Sequence, residues 1–252
     1  MKIVNYGAII EARMGSLRLP GKVMLEVNNH PLIYQLIKRL KYINNLDQII
    51  IATTNNKKDD LFCNYLKKKK IKFFRGSEDN VLERVLKTAQ KFNLKNIVQI
   101  TGDCPLIDPQ IVSQVIATFK NNKFDFVSNA NIRTYPDGMD VSVFSTKSLK
   151  KAYNLTKNKF DLEHVTLFFR RKKNIFSQCN IMAPINLHYP KLGLTLDEEK
   201  DYKLIKIIFK KFKKNKQPFT CLDIVNFLKE NQYLLKINKN VTRKSLPISL
   251  NK

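Results

Sequence analysis

Short apolar runs alternate with helical patterns through the first half of the chain, and that alternation limits the fold more than any other feature. Val4 to Glu11 is apolar and ends at a loop holding Gly15, Pro20 and Gly21, which reads as a strand feeding a glycine-punctuated loop. Pro31 to Tyr42 places Leu32, Ile33, Leu36, Ile37 and Leu40 at helical spacing. Ile49 to Thr53 is a second strand, Asp59 to Lys69 a helix, and Lys72 to Phe74 a third strand. Val81 to Phe92 repeats the helical pattern, and Asn96 to Ile100 is a fourth strand, cut off by Thr101-Gly102-Asp103. Such alternation predicts a parallel α/β sheet with helices on both faces. Sheets of this kind hold ligands at the carboxyl ends of their strands. The loops at 12–22 and 101–108 both lie there.

The second half is less regular. Strands are expected at Phe124 to Ser128, Asp140 to Phe144, near Asn174 to Ile181, and at Leu192 to Leu196, which ends at Asp197. Helices are expected at Lys147 to Leu155, Asp161 to Lys172, about 199–214 and Cys221 to Glu230. No repeat or low-complexity linker divides the chain, so it reads as one domain over 1–238 with a tail at 239–252. The helix at 199–214 sets Tyr202, Ile205, Ile208, Phe209 and Phe212 against lysines. This is the pattern of a packed helix with a solvated lysine face, and also of one lying on an anionic membrane.

Charge invites a different class of function. Across 252 residues, 46 Lys plus Arg against 21 Asp plus Glu leave a formal +25. A nucleic-acid-binding module is therefore the rival reading, because basic residues gain affinity by releasing counterions from phosphates. Only nine of the 46 are arginine, however, and the lysines scatter over several helices instead of gathering with aromatics on one face. No apolar stretch approaches the roughly 18 residues of a membrane span. A secretory signal is not expected, since Glu11 and Arg13 stand where a cleavage site would lie. The four cysteines (63, 104, 179 and 221) form no C-x-x-C pair and read as reduced thiols of a cytoplasmic protein.

Gly15-Ser16-Leu17-Arg18-Leu19-Pro20-Gly21-Lys22 superficially resembles a Walker phosphate loop. It has one residue too many between its glycines, and Val23 stands in place of the hydroxyl that would hold magnesium. Its amides with Arg13, Arg18 and Lys22 suit a polyphosphate, and equally an ordinary strand-to-helix loop. With the preceding Ala12-Arg13-Met14 it resembles the A-R-x-G-S-x-R-L-P-G-K signature of the cytidylyltransferase family. That family activates acidic sugars such as sialic acids and 3-deoxy-octulosonate with CTP, and its spore-coat polysaccharide branch is the nearest match. The likeness continues in order through Ile51-Ala52-Thr53-Thr54-Asn55, Arg75-Gly76-Ser77-Glu78 and Thr101-Gly102-Asp103-Cys104-Pro105. Pro136-Asp137-Gly138-Met139-Asp140 and Glu163-His164-Val165-Thr166 complete it, so that it spans about residues 4–201.

The resemblance implies a Rossmann-like, GT-A-like nucleotide-diphospho-sugar transferase domain with a predominantly parallel mixed sheet flanked by helices. It implies CMP transfer from CTP to an acidic sugar with release of pyrophosphate, in surface polysaccharide or glycoconjugate biosynthesis, and a homodimer. Ala12, Arg13, Gly15, Ser16, Arg18, Lys22, Thr101 and Gly102 are the nucleotide-binding candidates, with Arg13, Lys22 and Asp103 catalytic. Asp103 and Asp197 are the expected Mg²⁺ ligands, since magnesium takes one or two carboxylates and completes its shell with phosphate and water. Capping of the helix at Pro109, the other use for Asp103, is better met by Asp108. Asp197 is followed by Glu198-Glu199-Lys200 where relatives usually have Thr or Ser and Pro, so a helix-capping role competes there. Arg133, Tyr135, Asp137, Asp140 and His164 are the acceptor-side candidates. The aspartates also suit a tight turn around Gly138, and His164 also suits a packed helical position. Some relatives place a cytosine-recognising glutamine before the Gly-Asp pair. Thr101 stands there, which keeps open a nucleotidyltransferase using GTP or UTP with a sugar phosphate.

Overall fold

In the computed structural model, residues 3–243 are described. The elements in chain order are β1 (Val4–Glu11), β2 (Glu26–Val27), β3 (His30–Pro31), α1 (Leu32–Leu40), β4 (Gln48–Thr54), α2 (Asp60–Lys68) and β5 (Lys72–Gly76). There follow α3 (Val81–Lys91), β6 (Leu94–Thr101), α4 (Pro109–Asn121), β7 (Phe126–Ser128), β8 (Ser142–Ser145) and α5 (Thr146–Leu155). The chain continues through α6 (Lys159–Glu163), α7 (Leu167–Arg171), β9 (Gln178–Asn180), α8 (Glu199–Lys211) and α9 (Cys221–Glu230).

Seven strands form one sheet in the order β5-β4-β1-β6-β8-β7-β9. All run parallel except β8, which pairs antiparallel with both β6 and β7. Side chains alternate across β1. Ala8 and Ile10 pack with Leu36 of α1, Val112 of α4, Ile208 of α8 and Ile224 of α9. Ile9 faces the other way onto Val85 of α3, Leu149 of α5 and Phe169 of α7. The chain leaves β1 toward β4 and β5, then returns to its other side as β6. This switch in strand order opens a crevice beyond the carboxyl ends of β1 and β6. Glu11 and Thr101 stand opposite each other at its floor.

Several expectations need correction. The helix expected over Asp161 to Lys172 is two short helices, α6 and α7, with His164 between them at φ −112° and ψ 89°. Asp161, fully buried, accepts from Thr156 Oγ1 at 2.6 Å and pairs with Arg171, which fixes the break. Leu192 to Leu196 makes no sheet strand and bridges only from Gly193 to Asp137. β7 and β9 are shorter than expected. The β2–β3 hairpin was not anticipated; Asn28 and Asn29 supply its turn at φ 51° and 62°, as asparagine tolerates better than most residues. Past residue 238, Val241 is 7% exposed and Arg243 is ion-paired with Asp201 at 2.6 Å. The remainder, 244–252, lies outside the described residues. Among the described residues no helix is long and apolar enough to cross a membrane, and all four cysteines are free.

Candidate active site

The loop after β1 is pinned from beneath. Asp59, 1% exposed, accepts from Met14 N at 2.7 Å, Thr53 Oγ1 at 3.0 Å and Thr54 N at 3.1 Å. Gly21 N closes back onto Met14 O at 2.9 Å. Gly21 itself sits in the left-handed region at φ 70°, which favours glycine. That reversal starts a 3₁₀ turn over Lys22–Met24 and turns the Lys22 side chain into the crevice.

Lys22 is the hub. Its Nζ donates to Asp103 Oδ2 at 2.9 Å, Leu196 O at 2.7 Å and Asp197 Oδ1 at 3.3 Å. Burial disfavours its charge, but the two carboxylates outweigh burial and raise its pKa. Burial disfavours the charge of Asp103 as well, which pushes its pKa upward. Lys22 and a 2.6 Å hydrogen bond from Thr101 Oγ1 prevail, and the carboxyl is held below the ordinary aspartate value. Gly102 permits this placement. Its N–H meets Glu11 O at 2.8 Å, and a Cβ there would lie 2.8 Å from Ala12 Cβ.

Asp197 arrives on the extended segment after Gly193, where Leu196 N donates to Asp103 O at 2.8 Å. Its Oδ1 lies 2.8 Å from Arg18 and its Oδ2 3.4 Å from Arg243. Helix capping does not occupy it: Glu198 is the N-cap of α8, in a reciprocal capping box with Asp201. Likewise Asp108 caps α4, accepting from Gln110 N at 2.8 Å, which leaves Asp103 to the crevice. Two carboxylates thus converge on a point that already holds a positive charge. Among the described residues no third His, Cys, Asp or Glu joins them. A cation there would rely on two carboxylates plus ligand oxygens and water, and that donor set fits magnesium.

The crevice has two lobes that share Glu11, Arg18, Thr101, Asp103, Glu163, His164 and Asp197. One, about 400 Å³, is walled by Ala12, Arg13, Gly15, Ser16, Lys22, Arg84 and Gly102. The other, about 360 Å³, carries Arg133, Asp137, Asp140 and Arg170. There Arg133 pairs with Asp137 and Asp140, each at 2.8 Å. Burial raises both aspartates above the ordinary range despite that partner. Of the sequence candidates, only Tyr135 does not line the crevice. It is 1% exposed in the core, its hydroxyl 3.4 Å from Gln114 Oε1, so substrate contact is withdrawn for it. Arg13 sits at the outer edge, paired to Glu78 at 2.9 Å.

Sequence reasoning missed Glu11, Gln99, Arg84, Arg170 and Arg243. For Glu11 a signal existed, because an acid closes an otherwise apolar strand. Gln99 Nε2 donates to its Oε1 at 2.6 Å, yet burial pushes Glu11 from the ordinary 4.5 up to about 7. Between those values the folded protein keeps a proton that the unfolded chain has released. Its contribution to stability is whole below pH 4.5 and is lost as pH rises through 7. Denaturant titrations at about pH 5 and pH 8 should show Glu11→Gln losing roughly 1–3 kcal/mol less stability over that interval than wild type. A parallel decline in both proteins would place the titration elsewhere.

The chain is similar to known proteins along most of its length. The sequence model described as cytidylyltransferase matches residues 7–240. The uncharacterized protein MJ1063 of Methanocaldococcus jannaschii is 35% identical over 245 residues, covering 97% of this chain and 98% of its own length. The spore coat polysaccharide biosynthesis protein SpsF of Bacillus subtilis is 29% identical, over 81% of this chain and 85% of its own. Among solved structures, a cytidylyltransferase from Leptospira borgpetersenii superposes with a TM-score of 0.87 at 29% identity, covering 96% of this chain and 99% of that one.

Proposed function

Since the chain belongs to the cytidylyltransferase family, we propose that it transfers CMP from CTP to the hydroxyl of an acidic sugar. The observation that carries this reading is the convergence of Asp103 and Asp197 on Lys22 between the two lobes of the crevice. One lobe offers loop amides and cations to a triphosphate, and the other offers paired carboxylates and arginines to a polyol acid. The reaction needs both ligands to meet beside Asp103.

In this reading the acceptor oxygen attacks the α-phosphorus of CTP in line. The new P–O bond forms as the bond to the β-phosphate breaks, pyrophosphate leaves and the hydroxyl proton passes to solvent. Ala12, Gly15, Ser16 and Gly102 shape the nucleotide lobe, where Gly102 lets the ligand approach the backbone of β6. Arg13 and Lys22 neutralise the triphosphate, with Arg18 assisting. Placing these cations in advance favours the charge that gathers on the leaving group. Asp103 and Asp197 would hold Mg²⁺, which when bound supplies further charge neutralisation at the phosphates. Asp137, Asp140 and His164 border the acceptor, and the turn at Gly138 sets the aspartates.

A pyrophosphate-release screen of CTP, GTP, UTP and ATP against acidic sugars and sugar phosphates tests the assignment. Release is expected with CTP and a sugar acid. Release only with GTP or UTP and a sugar phosphate would replace this reading with the other nucleotidyltransferase chemistry.

A further inference from the structure

Arg170 stands apart from the other arginines. Eight of the nine hold a carboxylate or a backbone carbonyl. Among the described residues, the Arg170 guanidinium makes neither hydrogen bond nor ion pair, and its Nε is buried without a partner. It lines the acceptor lobe with Arg133, Asp140 and His164. Its mounting is rigid: Leu167, Phe168 and Phe169 of α7 are buried, and Phe169 stacks on Phe126 at 5.1 Å. Burial lowers its pKa, Asp140 opposes that and Arg133 adds to it. Asp140 is already engaged by Arg133 through bonds of 2.8 and 3.2 Å. A charged side chain whose donors are left unmade in a crevice is costly unless a ligand completes it.

The charges nearby select the ligand. Six acids (Glu11, Asp103, Asp137, Asp140, Glu163 and Asp197) line this lobe against four arginines, so a dianionic phosphate would be opposed more strongly than a monoanion. A planar fork suits a planar carboxylate, which it grips with two parallel bonds. The triphosphate has its own cations in the other lobe. We propose that Arg170 binds the carboxylate of the acceptor and is the residue that selects sugar acids over neutral sugars. This rests on the reading of the chain as a sugar-acid cytidylyltransferase.

The test compares 3-deoxy-octulosonate and N-acetylneuraminate with their methyl esters, using CTP and Mg²⁺ and measuring pyrophosphate release. Wild type is expected to prefer the free acid by about 100-fold in kcat/KM, and Arg170→Gln to cut that preference below about 10-fold while raising KM for the acid about 30-fold. Calorimetric CTP affinity should stay within about twofold, because Arg170 lies outside the nucleotide lobe. Should Arg170→Gln also lose CTP binding, Arg170→Lys carries the same comparison, with the preference expected to fall at least about threefold. An undiminished preference in these variants overturns the assignment alone. A wild-type enzyme that turns over only neutral or phosphorylated acceptors overturns it together with the reading beneath it.

Discussion

Asp103→Asn is expected to lower CTP-dependent pyrophosphate release about 10³-fold while leaving the protein folded. The substitution keeps the size of the side chain and an oxygen for Thr101 Oγ1, now at 2.6 Å. It removes the charge that faces Lys22 Nζ at 2.9 Å. Lys22 retains Leu196 O at 2.7 Å and Asp197 at 3.3 Å, so the ammonium is not stranded. The stability cost should therefore stay within about 1–2 kcal/mol. A continuous pyrophosphate assay alongside a thermal melt separates the two effects. Turnover within about tenfold of wild type, from a variant of normal stability, would remove Asp103 from the chemistry.

Gly138→Ala should produce the largest loss of stability from a single added methyl. Gly138 sits at φ 105°, where side chains are strained, and a Cβ there would lie 2.7 Å from the carbonyl carbon of Leu194. Strain and overpacking together predict a cost of about 2–5 kcal/mol, and a fall in Tm of roughly 5–15 °C for a chain of this size. The strain has a direction. Relief would push the 193–197 segment, and with it Asp197, away from the Asp137–Asp140 turn, so activity should fall beyond what the melt explains. Gly15→Ala is the control, because its nearest atom is the flexible Glu78 Oε1 at 3.3 Å, and its cost should be under about 1 kcal/mol. Equal melting temperatures for the two variants would show that the turn is not tightly set.

The half of the fold governed by local pattern was legible. β1, β4 and β6 read from apolar runs, and α1 and α3 from helical spacing, because each buries one face against the same sheet. Where tertiary contacts decide, the pattern misled. Asp161 lies on the face of a continuous apolar helix, yet its burial with Thr156 and Arg171 breaks that helix at His164. Leu194 and Leu196 look like strand residues because they are fully buried, but their partners are loop backbone at Asp137 and Asp103. The site divides in the same way. Arg13, Lys22 and Asp103 sit in compact motifs that can be read directly. Arg243 joins Asp197 and Asp201 from more than 40 residues away, and Arg170 matters for the bonds it lacks, so neither leaves a local signal. The formal +25 likewise changes meaning. Six of the nine arginines are paired with carboxylates, which leaves little arginine surface for a nucleic acid.

Phosphorus NMR of the product formed from CTP when a sugar acid and a sugar phosphate are offered together tests the central claim most directly. Transfer of CMP to a hydroxyl gives one phosphodiester resonance without phosphorus coupling, together with free pyrophosphate. A product with two coupled phosphorus resonances, the mark of a nucleoside diphosphate sugar, would show that a sugar phosphate is the acceptor and would contradict the account.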